Sequence, residues 1–463
     1  MNTLTTNVAI IGAGTAGLSA YRAAKAAGKR AVLIEDGPYG TTCARVGCMP
    51  SKLLIAAAEA AHAARHGAPF GVHIDGQVRV DGREVMDRVK RERDRFVGFV
   101  LEGMDEIPAE DKLRGHARFV SDSVLHVGGH TEVRAGAVVI ATGSSPVVPD
   151  DLQALGDRVV VNDDVFEWDD LPRRVAVFGP GVIGLELGQA LARLGVDVRV
   201  LGLRGSLGGL SDPKVRDSAR QAFQQEFYLD PQAKVLSVRR VDDEVEVRYV
   251  ALDGRERAER FDYALAAVGR KPNLAGLDLG RTSLRLDARG VPVYDRRTLQ
   301  AGSSPIFIAG DANGDLPVLH EAADEGRIAG ANAARYPNVR PGLRRAPMAV
   351  LFSDPQIAVV GSRYKDLEPD TFVAGEVDFG NQGRSRIMLK NRGMLRLYAS
   401  REDGRLLGAE MAGPSAEHIA HLLAWALQQG LTVARMLDMP FYHPVVEEGL
   451  RTALRAAAAQ LPA

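Results

Sequence analysis

Asn7-Val-Ala-Ile-Ile-Gly12-Ala-Gly14-Thr-Ala-Gly17 opens the chain, followed by an alanine-rich amphipathic stretch to Gly28 and then Arg30-Ala-Val-Leu-Ile-Glu35. An apolar run, a Gly-x-Gly-x-x-Gly turn, a helical stretch and a second apolar run read as strand, turn, helix, strand: a βαβ unit. In such a turn the first glycine bends the chain tightly. The second lets backbone approach a pyrophosphate, and the third lets helix pack on strand. The helix N-terminus then faces the anion with unpaired N–H groups. A second copy starts at Val175-Ala-Val-Phe-Gly179-Pro-Gly181-Val-Ile-Gly184, runs through a helix to Gly195 and ends in the strand Val196–Leu201. Two distant copies, each set between strand and helix, predict an α/β chain with two Rossmann-like dinucleotide-binding domains rather than a solenoid.

The copies differ downstream. Glu35 follows Gly17 by eighteen positions and ends its strand, where a carboxylate bonds the adenosine ribose diol. Eighteen positions past Gly184 stands Gly202, with Arg204 two residues on. Two readings stay open there. Either NADP binds with Arg204 pairing its extra phosphate, or NAD binds without a carboxylate and Arg204 is a solvated loop residue.

Outward from the two copies, Leu53–Arg65 and Val85–Val100 read as helices, Arg118–Ile140 as short strands and Val235–Val250 as a hairpin. From about Arg345 a strand at Arg386–Tyr398 and helices at Ala416–Gln429 and Val446–Ala458 predict a separate α+β domain. The 463 residues are ordinary globular usage, 46% hydrophobic and 25% charged. Lys+Arg number 58 against 59 Asp+Glu, a balance that argues against a nucleic-acid or acidic-membrane partner. No apolar run reaches membrane-span length, and the N-terminus lacks the order of a signal peptide, so a cytoplasmic protein is expected.

Only two cysteines exist, in Thr42-Cys43-Ala-Arg-Val-Gly47-Cys48-Met-Pro50-Ser-Lys52. A disulfide needs Cα atoms about 4.4–6.8 Å apart, whereas five residues of regular helix rise about 7.5 Å. The pair can close only if the backbone departs from a regular helix. Gly47 permits that, and Pro50 suits a first turn. Cys48 is therefore expected at a helix N-terminus, where the positive dipole end favours thiolate. A structural zinc site usually wants four ligands, and no further cysteine exists. Two inert thiols are the plain alternative.

These residues resemble the flavin-dependent pyridine nucleotide–disulfide oxidoreductases, class I. The resemblance runs in order through the first cradle, the Cys-x-x-x-x-Cys-x-Pro-Ser-Lys stretch, Ala141-Thr142-Gly143 and the second cradle with Glu186. It continues with Val268-Gly269-Arg-Lys-Pro-Asn273, Gly310-Asp311 and His443-Pro-Val-Val-Glu-Glu448. The dihydrolipoamide dehydrogenases are the most similar branch. The resemblance implies FAD in the first cradle (Gly12, Gly14, Gly17, Glu35, with Thr142, Gly143, Gly310 and Asp311) and NAD, or NADP, in the second (Gly179, Gly181, Gly184, Arg204, Gly269). It implies a Lys52–Glu186 pair beside the flavin, a Cys43–Cys48 redox disulfide with Cys48 against the flavin and Cys43 exchanging with substrate, and a homodimer whose His–Glu motif enters the partner's site. It also implies an order of domains: residues 1–149 and 273–343 for FAD, 150–272 for NAD(P) and 344–463 for the interface. The implied activity is dihydrolipoamide plus NAD to lipoamide plus NADH, with a lipoyl-bearing acyltransferase of a 2-oxoacid dehydrogenase complex as partner. An NADPH-dependent disulfide reductase of the glutathione reductase kind is the rival, raised by Gly202 and Arg204. A flavoprotein docking subunit of a multienzyme complex is a third reading. The chain departs from the family pattern at Thr41, where glycine is usual, at Arg45, where asparagine is usual, and at Val445, where threonine is usual. Arg45 adds a cation near the dithiol and is expected to shift its pKa and substrate preference.

Ten histidines are present. Glu59, His62 and His66 share a helix face at metal-like spacing but read as surface decoration, as do His418 and His421, and no metal site is expected. His320 begins a helical stretch that the resemblance places near the flavin. His443 differs, because Glu448 lies five residues on and Pro444 interrupts helix between them. A turn can bring the carboxylate to the imidazole, fixing its tautomer and stabilising the imidazolium. A dithiol needs such a base to form its nucleophilic thiolate.

Overall fold

The computed structural model describes residues 1–462. They form two compact units, one of Met1–Pro50, Lys90–Val147 and Arg270–Arg344, the other of Ser51–Val89, Val148–Gly269 and Arg345–Ala463.

In the first unit the strand Asn2–Ile11 pairs in parallel with Ala31–Glu35 on one side and Thr131–Ile140 on the other. Lys112–Arg114 extends the sheet beyond Ala31–Glu35. Ile306–Ile308 joins it beside Thr131–Ile140, with Phe307 opposite Val139. Val8, Ala9 and Ile10 are wholly buried, the expected result for an apolar run in a parallel sheet covered on both faces. The helices Thr15–Ala26 and Leu319–Arg335 approach backbone to backbone. A methyl group on Gly326 or Gly330 would collide with the carbonyls of Ala16 or Ala20.

The second unit carries a parallel sheet in the order Tyr228–Asp230, Asp197–Leu201, Arg174–Phe178, Tyr263–Ala266, Val159–Val160. The stretch read as a hairpin is one, Lys234–Val241 against Glu244–Val250, and Glu256–Phe261 adds a third antiparallel strand. A five-stranded antiparallel sheet, Met348–Leu351, Gln356–Gly361, Leu406–Gly413, Met394–Ser400 and Phe372–Asp378, packs with the helices Ala416–Gln428 and Glu448–Ala458. Residues 51–89, contiguous with the first cradle in sequence, group with this unit. Leu54, Ala58, Met86 and Val89 share its core with Val177, Leu185 and Leu187.

Two local expectations are corrected. Arg386–Tyr398 is not one strand: Gly383–Ile387 is helical and the strand is Met394–Ser400. The Gln382 side chain accepts from Ser385 N at 2.8 Å and starts the helical turn. The last helix begins at Glu448 rather than Val446. Among the described residues no helix is long and apolar enough to cross a membrane.

Candidate functional site

The first cradle has the steric form its glycines require. Gly12 holds φ +106, and a methyl there would strike Ala141 O; one on Gly17 would strike Gly12 O. Gly14 caps the helix Thr15–Ala26, whose first turn carries no acid, and open space lies where its side chain would be. A cavity of about 960 Å³ opens there, lined by Gly12, Gly14, Glu35, Thr142 and Gly143 among others. Glu35 is held with one carboxylate oxygen accepting from Ala13 N and the other from Gly37 N, both at 2.8 Å. Thr142 Oγ1 is buried without a hydrogen-bond partner. A buried orphan hydroxyl is uncommon in a folded protein, and a bound ligand satisfies it. Anion-ready helix terminus, open glycine and orphan hydroxyl together fit an adenine dinucleotide. Gly310 and Asp311 do not line this cavity. Gly310 N donates to Glu325 at 2.7 Å, and Asp311 accepts from Ser144 Oγ at 2.8 Å.

Sequence reasoning missed His116 in the cavity wall. Its Nδ1 lies 2.8 Å from Asp36 Oδ2 and its Nε2 2.8 Å from Gly276 O. Both neighbours are acceptors, an arrangement that favours the doubly protonated ring. The Gly276 carbonyl, then Asp36, raises its pKa above the ordinary imidazole value.

The second cradle repeats the geometry. Gly179 also holds φ +106, a methyl on it would come within 2.5 Å of Ala267 O, and one on Gly184 would strike Gly179 O. Gly181 caps the helix Val182–Arg193. Gly269 is open, with nothing in its side-chain space. A side chain at Gly202 would meet Pro180 Cδ and Pro231 O, each at 2.7 Å. No acid fits there. Arg204 is exposed and makes no hydrogen bond or ion pair among the described residues.

The cysteine segment breaks where expected. The helix Thr42–Val46 ends at Gly47, φ −128 and ψ −113, and a new helix, Cys48–Arg65, starts on Cys48. Cys43 is partly exposed and Cys48 exposed. Four residues along that helix, Lys52 Nζ bonds both Glu186 carboxylate oxygens, at 2.9 and 2.8 Å. Glu186 is only 4% exposed and also accepts from Phe352 N at 2.9 Å. The ammonium lies 4.7 Å from the Phe352 ring centroid. Losing the lysine would leave this buried carboxylate without its ion-pair partner.

His443 Nδ1 lies 3.1 and 3.0 Å from the two Glu448 oxygens. The His443 contact, ahead of other causes, holds the Glu448 carboxyl below the usual carboxylate range. With Nδ1–H donating, the Nε2 lone pair is available to accept a proton. The side chain is 80% exposed. His62 and His66 stack at 4.0 Å, and no group of three metal-ligating side chains occurs among the described residues.

The pyridine nucleotide-disulphide oxidoreductase model matches residues 6–326, and that family's dimerisation domain matches residues 348–454. The chain belongs to this family. Its members are FAD-dependent disulfide oxidoreductases using a nicotinamide nucleotide, and this chain is such an enzyme by descent. It is 31% identical to the dihydrolipoyl dehydrogenase of Haloferax volcanii, over 98% of this chain and 97% of that one. It is 32% identical to the mercuric reductase of Acidithiobacillus ferrooxidans, over 96% of this chain and 82% of that one. In fold it matches the HOCl-induced flavoprotein disulfide reductase RclA from Escherichia coli, TM-score 0.80 at 24% identity over 97% and 99% of the two chains.

Proposed function

We propose that the protein is a dihydrolipoyl dehydrogenase, oxidising dihydrolipoamide with NAD as a cytoplasmic homodimer. The observation that carries this reading is the break at Gly47 between the only two cysteines, which sets Cys48 at the start of its own helix. His443 Nε2 takes the proton of a dihydrolipoamide thiol, while Glu448 holds the ring and balances its charge. The resulting thiolate attacks Cys43 of the oxidised pair, and Cys48 leaves as thiolate. The second substrate thiolate then displaces Cys43, so two substrate thiols become one disulfide and one protein disulfide becomes two thiols. Gly12, Gly14, Gly17, Glu35, Thr142 and Gly143 would hold FAD, which would supply the relay of an electron pair to the nicotinamide; Gly310 and Asp311 would meet only a part of it that extends beyond the cavity they do not line. Gly179, Gly181, Gly184 and Gly269 hold the nicotinamide nucleotide, and Lys52, fixed by Glu186, sets a positive charge beside the redox pair. Residues 1–149 and 273–343 serve FAD, 150–272 the nicotinamide nucleotide and 344–463 the dimer interface. With the family's dimerisation domain present, an exposed His443 serves the partner subunit's cysteines. A lipoyl-bearing acyltransferase of a 2-oxoacid dehydrogenase complex is the carrier.

A second reading, an NADPH-dependent disulfide reductase, is favoured by one observation: Gly202 admits no ribose-binding acid, and Arg204 stands free two residues on. One assay separates them. Purified protein is offered NAD with dihydrolipoamide, then NADH and NADPH with lipoamide and with glutathione disulfide. Turnover of lipoamide substrates with NAD or NADH supports the first reading, and preference for NADPH and glutathione disulfide supports the second. Cys43→Ser should lose turnover yet keep its flavin. His443→Gln should slow thiol oxidation strongly while flavin reduction by dinucleotide persists; equal loss of both would make His443 a folding residue.

A further inference from the structure

Thr41 and Arg45, the two departures within the cysteine segment, both line the cavity of the first cradle. We infer that Arg45 binds the diphosphate of the dinucleotide held in that cavity and does not tune the dithiol. This rests on the reading that the cavity takes FAD.

Three observations carry the inference. First, Arg45 is half-buried and lines the same cavity as Gly14, the cap of a helix with no acid in its first turn. Its stem is packed, since a methyl on Gly40 would come within 3.0 Å of Arg45 Cδ. Second, its guanidinium makes no hydrogen bond or ion pair among the described residues. Two acids of the cavity wall are already engaged, Glu35 with two backbone amides and Asp36 with His116. Among the arginines drawn inside, the buried Arg193 pairs with Glu226 and the half-buried Arg344 with Glu321 and Glu325. Five idle donors in a cavity that also holds a helix terminus suit a diphosphate, which the planar fork binds bidentately. Third, Arg45 and Cys43 are two residues apart in the helix Thr42–Val46, and residues so spaced do not share a face.

Thr41 sets this geometry. It holds φ 58 and ψ 149, a region comfortable only for glycine, and its Oγ1 accepts from Ala44 N at 3.3 Å. The hydroxyl that glycine lacks fixes the start of the short helix and so the direction of Arg45. Thr41 is a positioning residue.

The test uses the purified flavoprotein. The rate of FAD release is followed by flavin fluorescence in the wild type, Arg45→Asn, Arg45→Lys and Arg45→Met, the last keeping the packed stem. In parallel, the pH profile of cysteine alkylation by iodoacetamide is measured. Arg45→Asn and Arg45→Met should release FAD at least tenfold faster, with Arg45→Lys between them and the wild type, and the alkylation profile should not move. Unchanged release, with or without a shifted alkylation profile, overturns the inference, and a shifted profile returns Arg45 to the dithiol. A wild-type protein that binds no FAD overturns the cofactor reading itself, a separate outcome.

Discussion

The two glycine cradles are built alike and finished differently. Both open with a glycine at φ +106, and in both the third glycine is pressed on the carbonyl of the first. In the first cradle the middle residue, Ala13, donates its N–H to Glu35. In the second the middle residue is Pro180, which has no N–H to give, and the place of the acid is Gly202, filled by Pro180 and Pro231. Donor and acceptor are present together in one copy and missing together in the other. The coupling teaches that the acid is part of the loop's own structure as well as the proposed ribose ligand, so it cannot be lost without compensation in the turn.

The largest effect should come from the shared feature. Gly17→Ala should abolish flavin retention. Gly184→Ala should keep flavin but lose its reduction by NADH or NADPH, read from the absorbance of the purified proteins and from stopped-flow reduction. Loss of flavin in both variants would break the division of labour.

Glu35→Ala strands two backbone N–H groups at a cost of about 1–3 kcal/mol each, and flavin affinity should fall by tens of fold. Its counterpart, Gly202→Glu, should gain no NADH preference and should lower stability by about 1–3 kcal/mol through overpacking. A gain of NADH preference would show that the Pro180 turn yields.

Arg204→Ala should raise KM for NADPH about tenfold, the loss of one charge-assisted contact, with KM for NADH unchanged. No change in either places NADP outside this loop.

The smallest effect is in pH. His116 in the first unit has its pKa raised by Gly276 and Asp36. Its stability contribution is full below the ordinary imidazole value and is lost as pH rises through the raised one. His62 in the second unit is lowered to about 4, by burial first and Arg193 second. The unfolded chain takes up that proton first, so stability falls as pH drops from about 6.5 toward His62's own value. His116→Gln should flatten the alkaline limb of a Tm–pH curve and His62→Gln the acid limb; the opposite pattern refutes both assignments.

Much of the architecture was legible because it is local. Val8–Ile11 is an unbroken apolar run because a parallel sheet buries both faces. The cysteine break could be read because Gly47 and Pro50 flank Cys48. The Lys52–Glu186 and His443–Glu448 contacts were reached through the resemblance and the spacing, and the geometry supplies both. What stayed hidden depends on distant partners. Asp36 lies 80 residues from His116, and Gly276 lies 160 from it. Phe352 N reaches Glu186 from 166 residues away. Thr41's strain is a torsion no residue pattern displays. The short helix at Gly383–Ile387 was missed because glutamine is not among the favoured N-cap residues.

Pro180 has one more effect. A turn that withholds an N–H cannot anchor a carboxylate behind it, so the second cradle offers its visitor one polar group fewer than the Ala13 turn does. The first cradle suits a resident that stays for the life of the protein. The second suits a shuttle that must depart after every round.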